Sequence, residues 1–267
     1  MRLILIFLLS ALPAVLPAQP AAPPAPAIAA KAYLLVDFHS GQALVAHNPQ
    51  QRVEPASLTK LMTAYLTFTA LKQKRLRPDL AVPVSEYAWR AAGSRMFIEP
   101  RKAVTVDELV RGMIVQSGND ACIALAEAIA GSEEAFAEMM NREAQRLGLK
   151  NTHFVNATGL PHPQHYSTAQ DLAALATAVI RDFPEYFPLY SQKEYRYNNI
   201  TQANRNRLLW TDPAVDGMKT GYTENAGYCL ITTARRGERR LVSVVLGAAS
   251  EAARAAESQK LLNHGFQ

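Results

Sequence analysis

The stretch SLTKLMTAYLTFTALK, residues 57–72, puts a hydroxyl and an amine at the head of an apolar run. Residues three apart on a helix stand above one another, so in a helix beginning at Ser57 the Ser57 Oγ and the Lys60 amine can meet. Two readings fit. The pair is a nucleophile and its base, or an ordinary serine N-cap followed by a solvated lysine. By composition S-x-x-K turns up about once in a chain of this length, so the choice falls to the rest of the sequence.

Upstream, Met1 and Arg2 form a short basic start, Leu3 to Leu16 an apolar core, and small residues follow at Ala14 to Ala18 and again at Ala27 to Ala30. This is the layout of a secretory signal peptide, expected over residues 1–18, with cleavage as late as residue 30 also open. A membrane-spanning helix needs roughly 20 apolar residues, and Pro13 and Pro17 interrupt this run early. Residues 19–30 read as an extended Pro/Ala linker, and residues 31–267 are enough for one large domain or two small ones.

The formal charge of the 267-residue chain is +5, spread out except for RRGERR at 235–240. A turn between two strands accounts for that cluster, and no nucleic-acid partner is expected. Cys122 and Cys229 are the only cysteines and both lie in apolar runs. Export permits a disulfide, but two buried free thiols are the favoured reading. His162 and His165 sit in a Pro-rich loop without Cys or an H-E-x-x-H spacing, so neither a metal nor any other cofactor is expected.

AYLLVDFHSGQALVAHN, from Ala32, alternates apolar and polar residues around a Ser-Gly turn, a hairpin signal. Thr105 and Glu108 match a capping box ahead of an apolar helix. That string stops at Ser117-Gly118-Asn119-Asp120, after which a helix runs to Gly131 and another from Ser132 to Leu147. The loop 151–166 gives way to a helix near Ser167. AGYCLITTAR and RRLVSVVLGAA read as a second hairpin turning through Arg236-Gly237, and SEAARAAESQKLLNHGF as a final helix. Strands at both ends with helices between them predict one antiparallel sheet in an α+β arrangement.

Three motifs now stand in order: Ser57-x-x-Lys60 opening a helix, Ser117-Gly-Asn119 between two helices, and Lys219-Thr-Gly221 running into a terminal strand. Together they are similar to the signature of penicillin-binding proteins and class A β-lactamases. From about Ala32 to Gln267 the chain resembles the low-molecular-weight penicillin-binding proteins, the serine-type D-alanyl-D-alanine carboxypeptidases. PASLTKLMTAY, SGNDACIALAEAIAG, NATGLPHPQHYSTAQDLA, NRNRLLW, VDGMKTGYTENAGYCL and AESQKLLNHGF all resemble family blocks.

The resemblance implies the penicillin-recognising fold, an antiparallel sheet packed against a helical cluster with the active site in the groove between them. It implies Ser57 as nucleophile, Lys60 as base, Ser117 as proton relay, and Asn119 as the group that holds Lys60 and the substrate amide. The oxyanion donors would be the backbone N–H groups of Ser57 and Tyr222. The terminal carboxylate would be held by Lys219, Thr220 and Arg254 in the KTG groove with Gly221. Arg254 has an alternative as a solvated arginine on the last helix, and Arg205 reads as structural. A lysine near pKa 10.4 needs roughly 4.6 kcal/mol of environmental bias to be neutral at pH 7.

The partners so implied are peptidoglycan stem peptides ending in D-Ala-D-Ala, and β-lactam antibiotics. The alternatives are a D,D-endopeptidase that cuts crosslinks and a penicillin- or peptidoglycan-binding sensor without turnover. A β-lactamase would want a deacylating glutamate, and residues 151–170 contain none. Tyr222 departs from the His or Thr of many relatives. Longer relatives continue past Leu261 and Leu262 into a β-rich domain and an anchor. The expected location is the periplasm, either free after cleavage or held at the inner membrane.

Overall fold

The computed structural model describes residues 24–267. The expected leader, residues 1–18, and the first part of the linker lie outside the described residues. The linker's end does not stand clear of the domain: Ile28 and Ala30 pack on the sheet, and Ala29 N–H donates to Glu257.

Strands β1 (Ala32–Asp37) and β2 (Ala43–His47) form the expected first hairpin, and β8 (Gly227–Arg236) and β9 (Arg239–Ala248) the second. Between β1 and β9 the register runs antiparallel from Ala32 opposite Leu246 to Asp37 opposite Leu241, which joins the two ends of the domain. With β7 (Val215–Thr223) the sheet reads β2-β1-β9-β8-β7. Alternate side chains point to opposite faces. Leu34, Ile231, Val242 and Val244 therefore enter the larger core under the helices. Leu35, Leu230, Leu241 and Val245 enter a smaller one under α8 (Glu251–Gly265). Burial on both faces explains why β8 and β9 read as nearly continuous apolar runs.

The helical layer contains α1 (Lys60–Lys72), α2 (Glu86–Trp89), α3 (Val106–Val115), α4 (Asn119–Ala130), α5 (Glu133–Arg146) and α6 (Ala169–Asp182). A short pair, β3 (Ala81–Val82) with β4 (Val104–Thr105), sits beside it. α1 is buried nearly all round, as befits a helix with apolar residues on every face. Its threonines are satisfied internally: Thr63 donates to Ala157 O, Thr67 to Thr63 O and Thr69 to Tyr65 O. The capping box at Thr105 and Glu108 is present, and Gly131 closes α4 at φ +85°.

Two local expectations change, and one hairpin is added. The helix does not begin at Ser57: residues Ala56–Thr59 form a 3-10 turn and α1 starts at Lys60, with no capping bond from Ser57. The KTG motif lies on its own strand, β7, at the sheet edge. EYRYNNITQA is a hairpin, β5 (Glu194–Tyr197) with β6 (Ile200–Ala203), turning at Asn198 and Asn199. A last helical turn, α7 (Leu208–Thr211), precedes β7. RRGERR spans the β8–β9 turn, where Arg239 pairs with Asp37 and Arg240 with Asp216. Cys122 and Cys229 are buried free thiols.

Candidate active site

Side chains at i and i+3 of a 3-10 turn eclipse, so the turn at 56–59 stacks Ser57 and Lys60 more closely than an α-helix would. Lys60 Nζ lies 2.9 Å from Ser57 Oγ, 2.7 Å from Asn119 Oδ1 and 2.7 Å from Thr158 O. The amine is 1% exposed, which removes the solvated-lysine reading. Burial pulls it down to about 8. Its partners suit either protonation state. Two are carbonyl oxygens that only accept, and the third is a hydroxyl that can reverse its bond. A neutral Lys60 thus keeps both carbonyl contacts and turns its lone pair on the Ser57 proton.

Asn119 opens α4 and is clamped at its other end, its Nδ2 donating to Ala92 O at 2.7 Å. Ser117, two residues earlier, holds φ at +60°, a left-handed conformation that non-glycine residues rarely adopt. Its Oγ accepts from Lys219 Nζ at 2.9 Å, and the same amine reaches Thr220 O at 3.0 Å. Lys219 is 3% exposed. Its pKa is drawn well below the usual lysine value by burial first and by Lys60 second. Two lysines and two serines thus line up as Ser57–Lys60 and Ser117–Lys219.

β7 is an edge strand, so alternate backbone groups point away from β8. Thr220 O faces Lys219 and the cleft, and Tyr222 N–H, two residues on, points the same way. The Ser57 N–H belongs to the first turn of its helical segment, where backbone donors have no intrahelical partner. Arg254, on α8, is 4% exposed and not solvated. Its Nη1 lies 3.4 Å from Gly221 O, and its guanidinium stands 5.6 Å from the Tyr228 ring centre. Burial lowers its pKa. Ser57, Ser117, Asn119, Thr220, Tyr222 and Arg254 all line one cleft of about 230 Å³. Lys60 and Lys219 lie beneath it. Every residue expected at the site is therefore in or directly under the cleft.

Several further residues build the same site, of which only Arg205 was singled out in the sequence. Arg205, read as structural in the sequence, lines the cleft and donates to Ser94 Oγ at 2.8 Å. Buried Asp120 accepts the N–H groups of Met96, Phe97 and Ile98 and so holds one wall. Gly159, at φ +86°, sits where a Cβ would lie 1.8 Å from Ala56 O. Glu133 fixes the neighbouring loop through Ala157 N–H and Tyr87 OH. Their only signal was adjacency, Asp120 following Asn119 and Gly159 lying in NATGLP.

The family model described as D-alanyl-D-alanine carboxypeptidase, peptidase S11, matches residues 18–250. The chain belongs to this family. D-alanyl-D-alanine carboxypeptidase DacC of Escherichia coli K12 is 46% identical over 249 residues, covering 91% of this chain and 62% of that protein. The chain spans about three-fifths of the length of such relatives. Penicillin binding protein 5 of Haemophilus influenzae superposes with a TM-score of 0.89 at 47% identity, covering 90% of this chain and 72% of that structure. Penicillin-Binding Protein D2 of Listeria monocytogenes, solved in an ampicillin-bound form, gives 0.84 at 32% identity, covering 92% of this chain and 100% of that one. The α+β fold inferred from the sequence is the fold of these family structures.

Proposed function

We propose that this chain is a serine D-Ala-D-Ala carboxypeptidase that removes the terminal D-alanine from peptidoglycan pentapeptides and is acylated by β-lactams at the same serine. The observation that carries this reading is the buried Lys60 amine, 2.9 Å from Ser57 Oγ, beneath a cleft whose far wall carries Thr220 and Arg254. Ser57 Oγ bonds to the penultimate D-Ala carbonyl carbon as its proton passes to neutral Lys60. The developing oxyanion takes the N–H groups of Ser57 and Tyr222, each worth about 2.7 to 4 kcal/mol to a transition state.

The C–N bond then breaks, and Ser117 relays a proton to the departing D-Ala nitrogen, with Lys219 restoring it. Water then adds to the acyl carbon, giving a proton through Ser117 to Lys219, and the ester C–O bond breaks as Lys60 returns its proton to Ser57 Oγ, which resets both lysines. Asn119 keeps Lys60 in line and hydrogen-bonds the substrate amide. Lys219, Thr220 and Arg254 receive the terminal carboxylate, for which a buried guanidinium is a fitting partner. That anion-seeking wall favours carboxypeptidase over crosslink-cutting endopeptidase or a silent sensor.

The proposed leader, residues 1–18, and linker, 19–30, would deliver the domain at 31–267 to the periplasm. No helix among the described residues is long and apolar enough to cross a membrane. The deciding experiment measures D-Ala release from a pentapeptide ending in D-Ala-D-Ala, with Ser57→Ala beside the wild type. Release by the wild type alone supports the reading. No release from the monomeric peptide, with release from a crosslinked dimer, turns it into an endopeptidase, and penicillin acylation with neither into a sensor.

A further inference from the structure

A second cleft, of about 600 Å³, adjoins the catalytic one. A single length of chain divides them: Gly93 and Ser94 line the catalytic cleft, while Arg95, Phe97 and Ile98 line its neighbour. This wall is held firmly. Asp120 takes three of its N–H groups, Gln202 Nε2 donates to Arg95 O at 3.1 Å, and Arg205 binds Ser94 Oγ. Phe97 and Arg101 each hold φ at +69°, and such residues cluster at ligand clamps and active sites.

The second cleft presents two ring faces and two cations. Trp89 and Phe97 are each 38% exposed. Glu86 and Glu99 also line it, but Glu86 pairs with Arg90, and Glu99 with Lys102 and Asn198. Arg95 and Arg101 pair with no carboxylate among the described residues. Arg95 instead lies over the Phe97 ring, 5.3 Å from its centre. The cleft is therefore cationic, with aromatic walls.

We propose that this cleft is a subsite for a free carboxylate carried by the stem peptide upstream of the scissile bond, gripped by Arg95 and Arg101 while Trp89 and Phe97 cover the adjoining peptide. The inference rests on the carboxypeptidase reading for its substrate. A guanidinium fork matches a carboxylate bidentately. The dividing wall is one backbone thick, about 5 Å, and an extended peptide advances about 3.3 Å per residue. A segment two or three residues upstream of the reacting carbonyl therefore has the reach to cross it. The subsite makes the enzyme select for an acidic stem as well as for D-Ala-D-Ala.

Two pentapeptides ending in D-Ala-D-Ala test this, identical except that the γ-linked glutamate bears either a free α-carboxylate or its amide. The wild type is expected to favour the free acid by about tenfold in kcat/KM, the scale of one charge-assisted contact. The Arg95→Gln/Arg101→Gln double variant should erase that preference while turning over the amide, and reacting with fluorescent penicillin, as the wild type does. Equal wild-type rates on both peptides overturn the subsite, as does an equal loss on both in the variant.

Binding of the same peptides to the Ser57→Ala chain, followed by calorimetry, separates the two claims. An acid preference that disappears with the two arginines supports the subsite even where the wild type releases no D-Ala. Identical affinities overturn the subsite even where release occurs.

Discussion

Acylation of Ser57 should follow the deprotonation of Lys60. With the amine at about 8, about 1% of molecules carry neutral Lys60 at pH 6, about 9% at pH 7 and half at pH 8. An ordinary lysine would be neutral in only about 0.04% at pH 7, so burial raises the competent fraction by roughly two hundredfold. The same burial costs the fold about 3 kcal/mol wherever Lys60 is charged, because the unfolded chain binds its proton more tightly. Between pH 8 and pH 10.5 the unfolded state holds more protons, so this contribution to stability rises with pH; below 8 the penalty is present in full. The assay is the second-order rate constant for labelling by a fluorescent penicillin from pH 6 to 9.5. It should climb nearly tenfold between pH 6 and 7 and level above 8. A flat profile, or one still climbing tenfold per pH unit at 9.5, refutes a neutral, burial-tuned Lys60 as the base.

Asn119→Asp places a carboxylate where Oδ1 now accepts from Lys60 at 2.7 Å. An adjacent opposite charge shifts a pKa by about 1 to 3, so the pH midpoint of labelling should rise by that amount and activity return near pH 10; an unmoved midpoint sinks the idea. Arg254→Ala removes the buried cation beside Gly221. The charged contact is worth about 1.5 to 3 kcal/mol, so kcat/KM on a D-Ala-D-Ala peptide should fall roughly ten- to hundredfold. Binding of a C-terminally amidated peptide should scarcely change, and an equal loss on both would contradict a carboxylate grip. Gly159→Ala drives a Cβ into Ala56 O, whereas Gly41 at φ +70° has nothing within 4 Å. Overpacking costs about 1 to 3 kcal/mol, or a Tm lower by roughly 2 to 12 °C in a domain of this size. Penicillin labelling of Gly159→Ala should drop as well, while Gly41→Ala, strained but open, keeps full labelling; the reverse order would refute the close-approach argument.

What could be read from the sequence was whatever has a local signature. The two hairpins announce themselves through period-two alternation about Gly turns, and α3 through Thr105 and Glu108. Ser57, Lys60, Ser117, Asn119 and Lys219, which the fold brings together, were singled out because three short motifs stand in order. The β5–β6 hairpin escaped notice because EYRY and ITQA are short and half exposed, although Asn198-Asn199 is a turn signal for paired positive φ. The 3-10 start at Ala56 had no signal either. Gly159 approaches it closely, a contact between residues about a hundred apart. Asp120, Glu133 and Thr158 act on the site through backbone groups, and a backbone N–H or C=O leaves no letter in a sequence. Such support is visible only once the loops at 92–98 and 156–159 are folded onto α4 and the 56–59 turn.

The placement of the second lysine follows from what the first must do. Lys60 has to shed its proton, yet the substrate's own carboxylate, arriving in the cleft, favours every nearby cation. Lys219 and Arg254 stand on the strand and helix proposed to meet that anion, whereas Lys60, beneath the cleft, is tied to Ser57, Asn119 and Thr158. The incoming charge would therefore be balanced by Lys219 and Arg254 first. A charged Lys219 then opposes a second charge on its neighbour, since like charges in a low-dielectric site disfavour joint ionisation. Under the proposed function, substrate binding would thus hold the proton on Lys219, next to Ser117, and keep it off Lys60, next to Ser57. That is the distribution acylation requires: a base facing the nucleophile, and a proton source facing the departing nitrogen.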